Sequence, residues 1–193
     1  MGKGIFLILL IFLAIPALSQ VDTTRFQVWS EQDPLQWNDY QVDRQRKLLK
    51  HGFAVHAVTS YQYFYLPREL HLDSCLNVLT TFRRYSSWVR DTTDLRLLEH
   101  ERIHFDIAEL YARKIRKQFR QLNMNNTLKD AYTLADSLFN AGVHRQDQYD
   151  QETFYGRSST KQQQWKKHIN VELRQLNEFS FENTCAGEQS ASY

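Results

Sequence analysis

The stretch Leu97-Leu98-Glu99-His100-Glu101-Arg102-Ile103-His104-Phe105-Asp106-Ile107-Ala108-Glu109 combines a helical apolar stripe with the spacing of a metal site. Leu97, Leu98, Ile103, Ile107, Leu110, Tyr111 and Ile115 recur at intervals of three and four, which predicts a helix from Asp94 to about Leu122. Asp91, Thr92 and Thr93 offer caps for its start, and Asn123 to Asn126 stop it. Within it, His100 and His104 stand four apart, about 40° around the axis and one turn along it. Two imidazoles so placed can reach one ion at the roughly 2.0–2.1 Å of a zinc–nitrogen bond. Glu101 lies about 100° further round. It is expected not to bind the ion but to hold a water beside it and accept that water's proton.

Zinc needs at least a third protein ligand. Glu109 is about 180° from His100 around the helix, so it is expected to form an exposed pair with Arg113 instead. Asp106 should also face away and tie the helix to a neighbour. The basic run Arg113-Lys114-Ile115-Arg116-Lys117 is expected on a solvated face. The third ligand must then come from another segment. His144 is chemically suitable, and so is the run from Tyr149 to Gly156, where two acids and two phenols cluster before a glycine.

A second helix is expected from Thr127 to about Tyr149, and a third from Gln162 to Phe179. Earlier in the chain the pattern turns to strands. Phe26 and Val28 share one alternating face, Ala54 to Tyr65 is rich in aromatic and β-branched residues, and Leu72 to Phe82 is a further candidate. Tyr61, Tyr63 and Tyr65 fall on one face, expected to be a half-buried strand face. Strands first and helices afterwards predict an α+β fold. Its expected core is a set of N-terminal strands packed on the His100–His104 helix, followed by two further helices. Trp29, Trp37, Trp88 and Trp165 are expected to pack in the interior.

At the start of the chain, Lys3 precedes an apolar run from Ile5 to Ile15, and Ala17-Leu18-Ser19 offers small residues at both positions a signal peptidase reads. This order predicts a secretory signal over residues 1–19, cleaved before Gln20. The run is shorter than the about 20 apolar residues of a spanning helix, so no permanent membrane anchor is expected and the protein is expected to be secreted or periplasmic. Residues 20–185 then form one domain, and residues 186–193 a flexible tail. The chain has 24 Lys and Arg against 22 Asp and Glu, a balance that argues against nucleic acid as its main partner. Cys75 and Cys185 are the two cysteines. In an oxidising compartment they can pair, tying the C-terminal segment to the middle of the chain, or remain two separate buried thiols.

Several of these blocks resemble one known family. Ser87-Trp88-Val89 and the run from Leu97 to Glu109 are similar to an uncharacterised family of bacterial secreted proteins described as predicted zinc-dependent proteases. The resemblance extends to residues 35–40 and 57–60, resumes at residues 149–153 and ends near residues 162–165. It implies a zincin-like domain with bound Zn2+ and a peptide or protein substrate. The family pattern carries a His two positions after the Thr that corresponds to Thr153, a plausible third metal ligand. Here that position is Tyr155. The resemblance therefore implies Tyr155 as the third ligand, or as a hydrogen-bond donor to a developing oxyanion. A phenol binds zinc only after losing a proton whose ordinary pKa is about 10. The expected function is a secreted zinc metallopeptidase with Glu101 as general base. The alternative is a degenerate zinc-binding protein that serves as a binding or structural module.

Overall fold

A helix with large apolar side chains on every side has to be covered on every side, and α1 (Leu95–Phe119) is such a helix. Its 25 residues run about 37 Å at 1.5 Å per residue. The computed structural model describes residues 21–66, 75–122 and 126–184. The expected signal segment, the tail and Cys185 lie outside the described residues. Ahead of α1 come the short strands β1 (Phe26–Val28), β2 (Gln41–Val42), β3 (Leu48–Lys50), β4 (Phe53–Val55), β5 (Ala57–Val58), β6 (Tyr61–Leu66), β7 (Asn77–Arg83) and β8 (Trp88–Val89). After it come α2 (Leu128–Glu152), α3 (Ser159–Gln175) and the short α4 (Phe181–Thr184). The fold is α+β, as expected.

β7 is the central strand of an antiparallel sheet in the order β1-β7-β6. A second sheet, β2-β8-β5, has a parallel and an antiparallel pair, while β3 and β4 form a separate hairpin. Three apolar clusters enclose α1. Leu98, Phe105 and Ala108 meet Leu35, Trp37, Tyr40, Phe82 and Val89. Ala112, Ile115 and Phe119 meet Leu76, Val78, Ala131 and Ala135. Ile103, Ile107 and Leu110 meet Tyr149, Trp165, Ile169 and Leu173. Strands, α2 and α3 thus each cover one side of the same helix.

That cover overturns two expectations. Glu109 and Arg113 are not an exposed pair: they are 2% and 5% exposed, and Arg116 is fully buried. Glu109 accepts from Arg113 Nε at 3.0 Å, from Arg116 Nη1 at 2.9 Å and from Thr80 Oγ1 at 2.7 Å. Arg116 Nη2 also donates to Glu109 Oε2 at 3.2 Å, and the carbonyls of Leu173, Val78 and Phe179 accept from Arg113 Nη1, Arg116 Nε and Arg116 Nη1. The supposed solvated basic face is therefore half interior, with Lys117 outside and Arg113 and Arg116 within. Buried ions persist only when paired and hydrogen-bonded, and this cluster meets that condition.

Smaller differences have equally local causes. Asp94, rather than Asp91 to Thr93, caps α1, its side chain accepting from the backbone of Arg96 and Leu97. In β1 it is Gln27, not Phe26 or Val28, that is buried, its amide satisfied by Asp33 and Arg84. Thr127 opens α2 with a reciprocal bond to Asp130. Asp106 does tie α1 to a neighbour, accepting from Trp29 Nε1 at 2.8 Å. Tyr61, Tyr63 and Tyr65 are half-buried, and the Tyr63 hydroxyl donates to the Ala108 carbonyl at 2.6 Å. Cys75 is disulfide-bonded, and its Sγ lies 3.7 Å from the carbonyl oxygen of Thr184. No helix among the described residues is long and apolar enough to cross a membrane.

Candidate metal centre

The floor of the centre is the second turn of α1 and its wall is the last turn of α2. Ala131, Ala135, Gly142, Gln146, Tyr149 and Asp150 are the buried residues of α2. Their spacing draws one stripe down that helix. Small residues on the stripe let α2 lie close to α1. A Cβ on Gly142 would stand 3.1 Å from Cγ of Tyr111. The close approach delivers Gln146, Tyr149 and Asp150 onto His100 and His104.

Three ligand atoms converge there. Nε2 of His100 and Nε2 of His104 are 3.2 Å apart, and Oδ1 of Asp150 is 3.1 Å from the first and 3.0 Å from the second. Among the described residues these three side chains form the one group placed to hold a metal ion. Ligand atoms at 2.0–2.1 Å from a tetrahedral centre are about 3.3 Å apart, so the triangle has nearly the required size.

The chemistry of the donor set also fits. Nδ1 of His104 is bonded to Oε1 of Gln146. The other end of that amide, Nε2, donates to the carbonyl of His104 at 2.9 Å, which orients the Gln146 oxygen toward the imidazole. With Nδ1–H donating, loss of the Nε2 proton would leave a lone pair aimed at a carboxylate oxygen and at a second imidazole. Such an arrangement asks for a cation at its centre, and outer partners of this kind are what orient metal-binding histidines.

His100 is held differently. Its ring stacks on Tyr149 at 4.6 Å, and the backbone of Gly156 presses on its other side. A Cβ at Gly156 would lie 3.1 Å from Cγ of His100, and φ there is +80°. Gly156→Ala is therefore expected to lower unfolding stability by about 1–2 kcal/mol through left-handed backbone strain, with further loss from the collision. Urea unfolding measures it, and a variant as stable as the parent would show that the turn relaxes around the methyl group.

Charge shapes proton binding at the same atoms. Burial opposes the charged form of His104, but the Asp150 carboxylate outweighs it and lifts its pKa to about 9. Burial lowers the pKa of His100. Burial would raise the carboxyl of Asp150, yet the charge of His104 and hydrogen bonds from both imidazoles and Lys50 hold it well below the carboxylate range.

Glu101 is 3% exposed and lines the same cleft of about 430 Å³. Its Oε2 is buried without a hydrogen-bond partner among the described residues, as is Nδ1 of His100. An unpaired buried acceptor costs about 1–3 kcal/mol, a cost that a bound water, a bound ion or a chemical role for the free atom accounts for.

The structure puts Asp150, not Tyr155, against the two imidazoles. Phe154, Tyr155 and Gly156 have φ of 51°, 55° and 80°. This left-handed turn swings Tyr155 away from α1 and toward the β3–β4 hairpin. There its hydroxyl is 2.7 Å from Nδ1 of His51, and its ring lies 5.2 Å from that of Phe53. Tyr155 still lines the cleft. Burial raises its pKa, so the phenol keeps its proton at neutral pH and is a poor ligand but an available donor. His144 is exposed on α2 and away from the triangle. Asp150 could have been singled out within the run 149–156 by its spacing from Gln146 and Tyr149, which marks the α2 stripe. His51 and Lys50 carried no such signal.

A family model described as "Bacterial protein of unknown function (DUF922)" matches residues 80–156. The match runs from β7 through α1 and α2 to the glycine behind His100, and so includes His100, Glu101, His104, Gln146, Asp150 and Tyr155. No curated protein and no solved structure matches the chain. What the sequence is shown to be similar to is thus this bacterial family, over the segment that brings His100, His104 and Asp150 together.

Proposed function

We propose that this protein is an exported zinc metallohydrolase of zincin-like architecture that cuts peptide bonds, with His100, His104 and Asp150 as the ligands. The observation that carries the reading is the free, buried Oε2 of Glu101 beside three converging ligand atoms. A purely structural site has no use for an unpaired carboxylate there. Two imidazoles and one carboxylate leave a fourth position open, the hallmark of a catalytic rather than a structural zinc site. Bound there, the ion would polarise the scissile carbonyl and make water acidic enough to attack at neutral pH.

The side chains divide the remaining work. Glu101 takes the proton of the attacking water on its free oxygen and returns it to the leaving amine. Tyr155, protonated and braced by His51, is assigned as hydrogen-bond donor to the oxygen of the attacked carbonyl. Leu97, Val58, Val143 and Tyr61 supply the less polar part of the cleft wall and keep the site partly dry, which strengthens each of these interactions. The non-catalytic alternative drew its support from the phenol at position 155. With Asp150 available, that departure leaves the ligand set complete.

Purified protein is expected to carry about one zinc per chain, measured by elemental analysis. Asp150→Ala and His104→Ala should each abolish it, whereas Tyr155→Phe should keep it. Full zinc in Asp150→Ala would remove Asp150 from the ligand set, and loss of zinc in Tyr155→Phe would make the phenol a ligand. Wild-type protein fully loaded with zinc but inert toward casein and a peptide library would leave the binding reading in place of the enzyme.

A further inference from the structure

Among the described residues the β3–β4 hairpin pairs with no third strand, yet its tip reaches the candidate metal centre. Its turn residues His51 and Gly52 have φ of 49° and 81°, the doubly positive geometry that matches strand twist in a two-residue hairpin. Alternation along β3 turns Leu48 and Lys50 into the cleft and leaves Leu49 72% exposed. Lys50 Nζ donates to Asp150 Oδ2 at 2.9 Å and to Asp147 Oδ1 at 2.6 Å. The hairpin is braced where this happens. His51 holds the Tyr155 hydroxyl at 2.7 Å, and Arg157 donates to the Ala54 carbonyl at 3.1 Å.

The two oxygens of Asp150 therefore have different partners: Oδ1 faces the imidazoles and Oδ2 faces an ammonium group. We propose that Lys50 is a positioning residue of the metal centre, holding Asp150 Oδ2 aside so that the carboxylate binds the ion through Oδ1 alone. The inference rests on the metal-site reading above. A carboxylate whose second oxygen is free can rotate and bind through both, and a second oxygen would occupy the position a catalytic site keeps open. Asp147 shares the ammonium, so the clamp brings no uncompensated positive charge toward a cation. The residue comes from about a hundred positions upstream of Asp150, outside the segment matched by the bacterial family.

Cobalt(II) in place of zinc tests this, because four-coordinate cobalt absorbs visible light more strongly than five-coordinate cobalt. The informative variant is Lys50→Met with Asp147→Asn, which removes one charge of each sign and so leaves the net charge unchanged. Its cobalt form should absorb more weakly than wild type. Its zinc affinity should fall by about 10- to 100-fold, the usual scale for an outer partner of a ligand. Lys50→Met alone should show the same spectral change, and circular dichroism checks that both variants fold. An unchanged spectrum and affinity in the folded double variant would overturn the role of Lys50 while leaving the ligand set intact. A wild-type protein that binds neither cobalt nor zinc would overturn the metal-site reading, and this role with it.

Discussion

Glu101→Gln is expected to retain full zinc and lose hydrolysis by about 10²-fold or more, the usual contribution of a general base. The substitution keeps the size of the side chain and both of its polar ends. What it removes is the ability to accept a proton at the buried oxygen that now has no partner. Because the atoms proposed as ligands belong to His100, His104 and Asp150, metal content should not move. Stability should hold or rise, since an unpaired buried carboxylate oxygen is replaced by an uncharged amide. Turnover of a quenched peptide substrate and zinc by elemental analysis, taken on one preparation, decide the matter. Loss of zinc in this variant would make Glu101 a ligand. Undiminished turnover would remove it from the chemistry.

The largest expected effect on stability lies further along the same helix. Glu109→Gln removes the carboxylate shared by Arg113 and Arg116 and leaves two buried guanidinium groups without that counter-charge. Breaking a buried ion pair by removing one partner costs about 3–5 kcal/mol, against a total stability of about 5–15 kcal/mol for a domain. A chain of this size shifts by about 2–4 °C per kcal/mol, so the melting temperature should drop by about 6–20 °C. An exposed Glu–Arg pair four apart on a helix is worth only about 0.3–0.5 kcal/mol. Urea unfolding therefore separates the buried cluster from the surface pair that the sequence pattern favours. A loss below about 1 kcal/mol would show that the cluster is solvated.

The difference between those two readings of Glu109 marks where sequence reasoning stops. Helical periodicity is a local property, so α1, α2 and α3 were legible, together with the HExxH spacing that puts two imidazoles and a base on one turn. The same periodicity identifies which face of a helix is apolar but not how many partners will cover it. Three clusters enclose α1, and this cover is what carries Arg113 and Arg116 inside. The strands were less legible because most are two or three residues long and owe their pairing to distant neighbours.

Within the site, His100, Glu101 and His104 are close in sequence because one helical turn suffices to aim them at a common point. That much the chain determines by itself. Asp150 joins them only because Gly142 and the alanines of α2 let two helices approach. Tyr155 leaves them only because three successive residues adopt left-handed backbone. Lys50 and His51 arrive from a hairpin about a hundred residues away, through contacts that no spacing rule encodes. Local geometry placed two imidazoles and Glu101 on one turn, and tertiary packing decided which carboxylate meets them, because a side chain brought from another element is placed by the sum of core contacts rather than by any turn of its own.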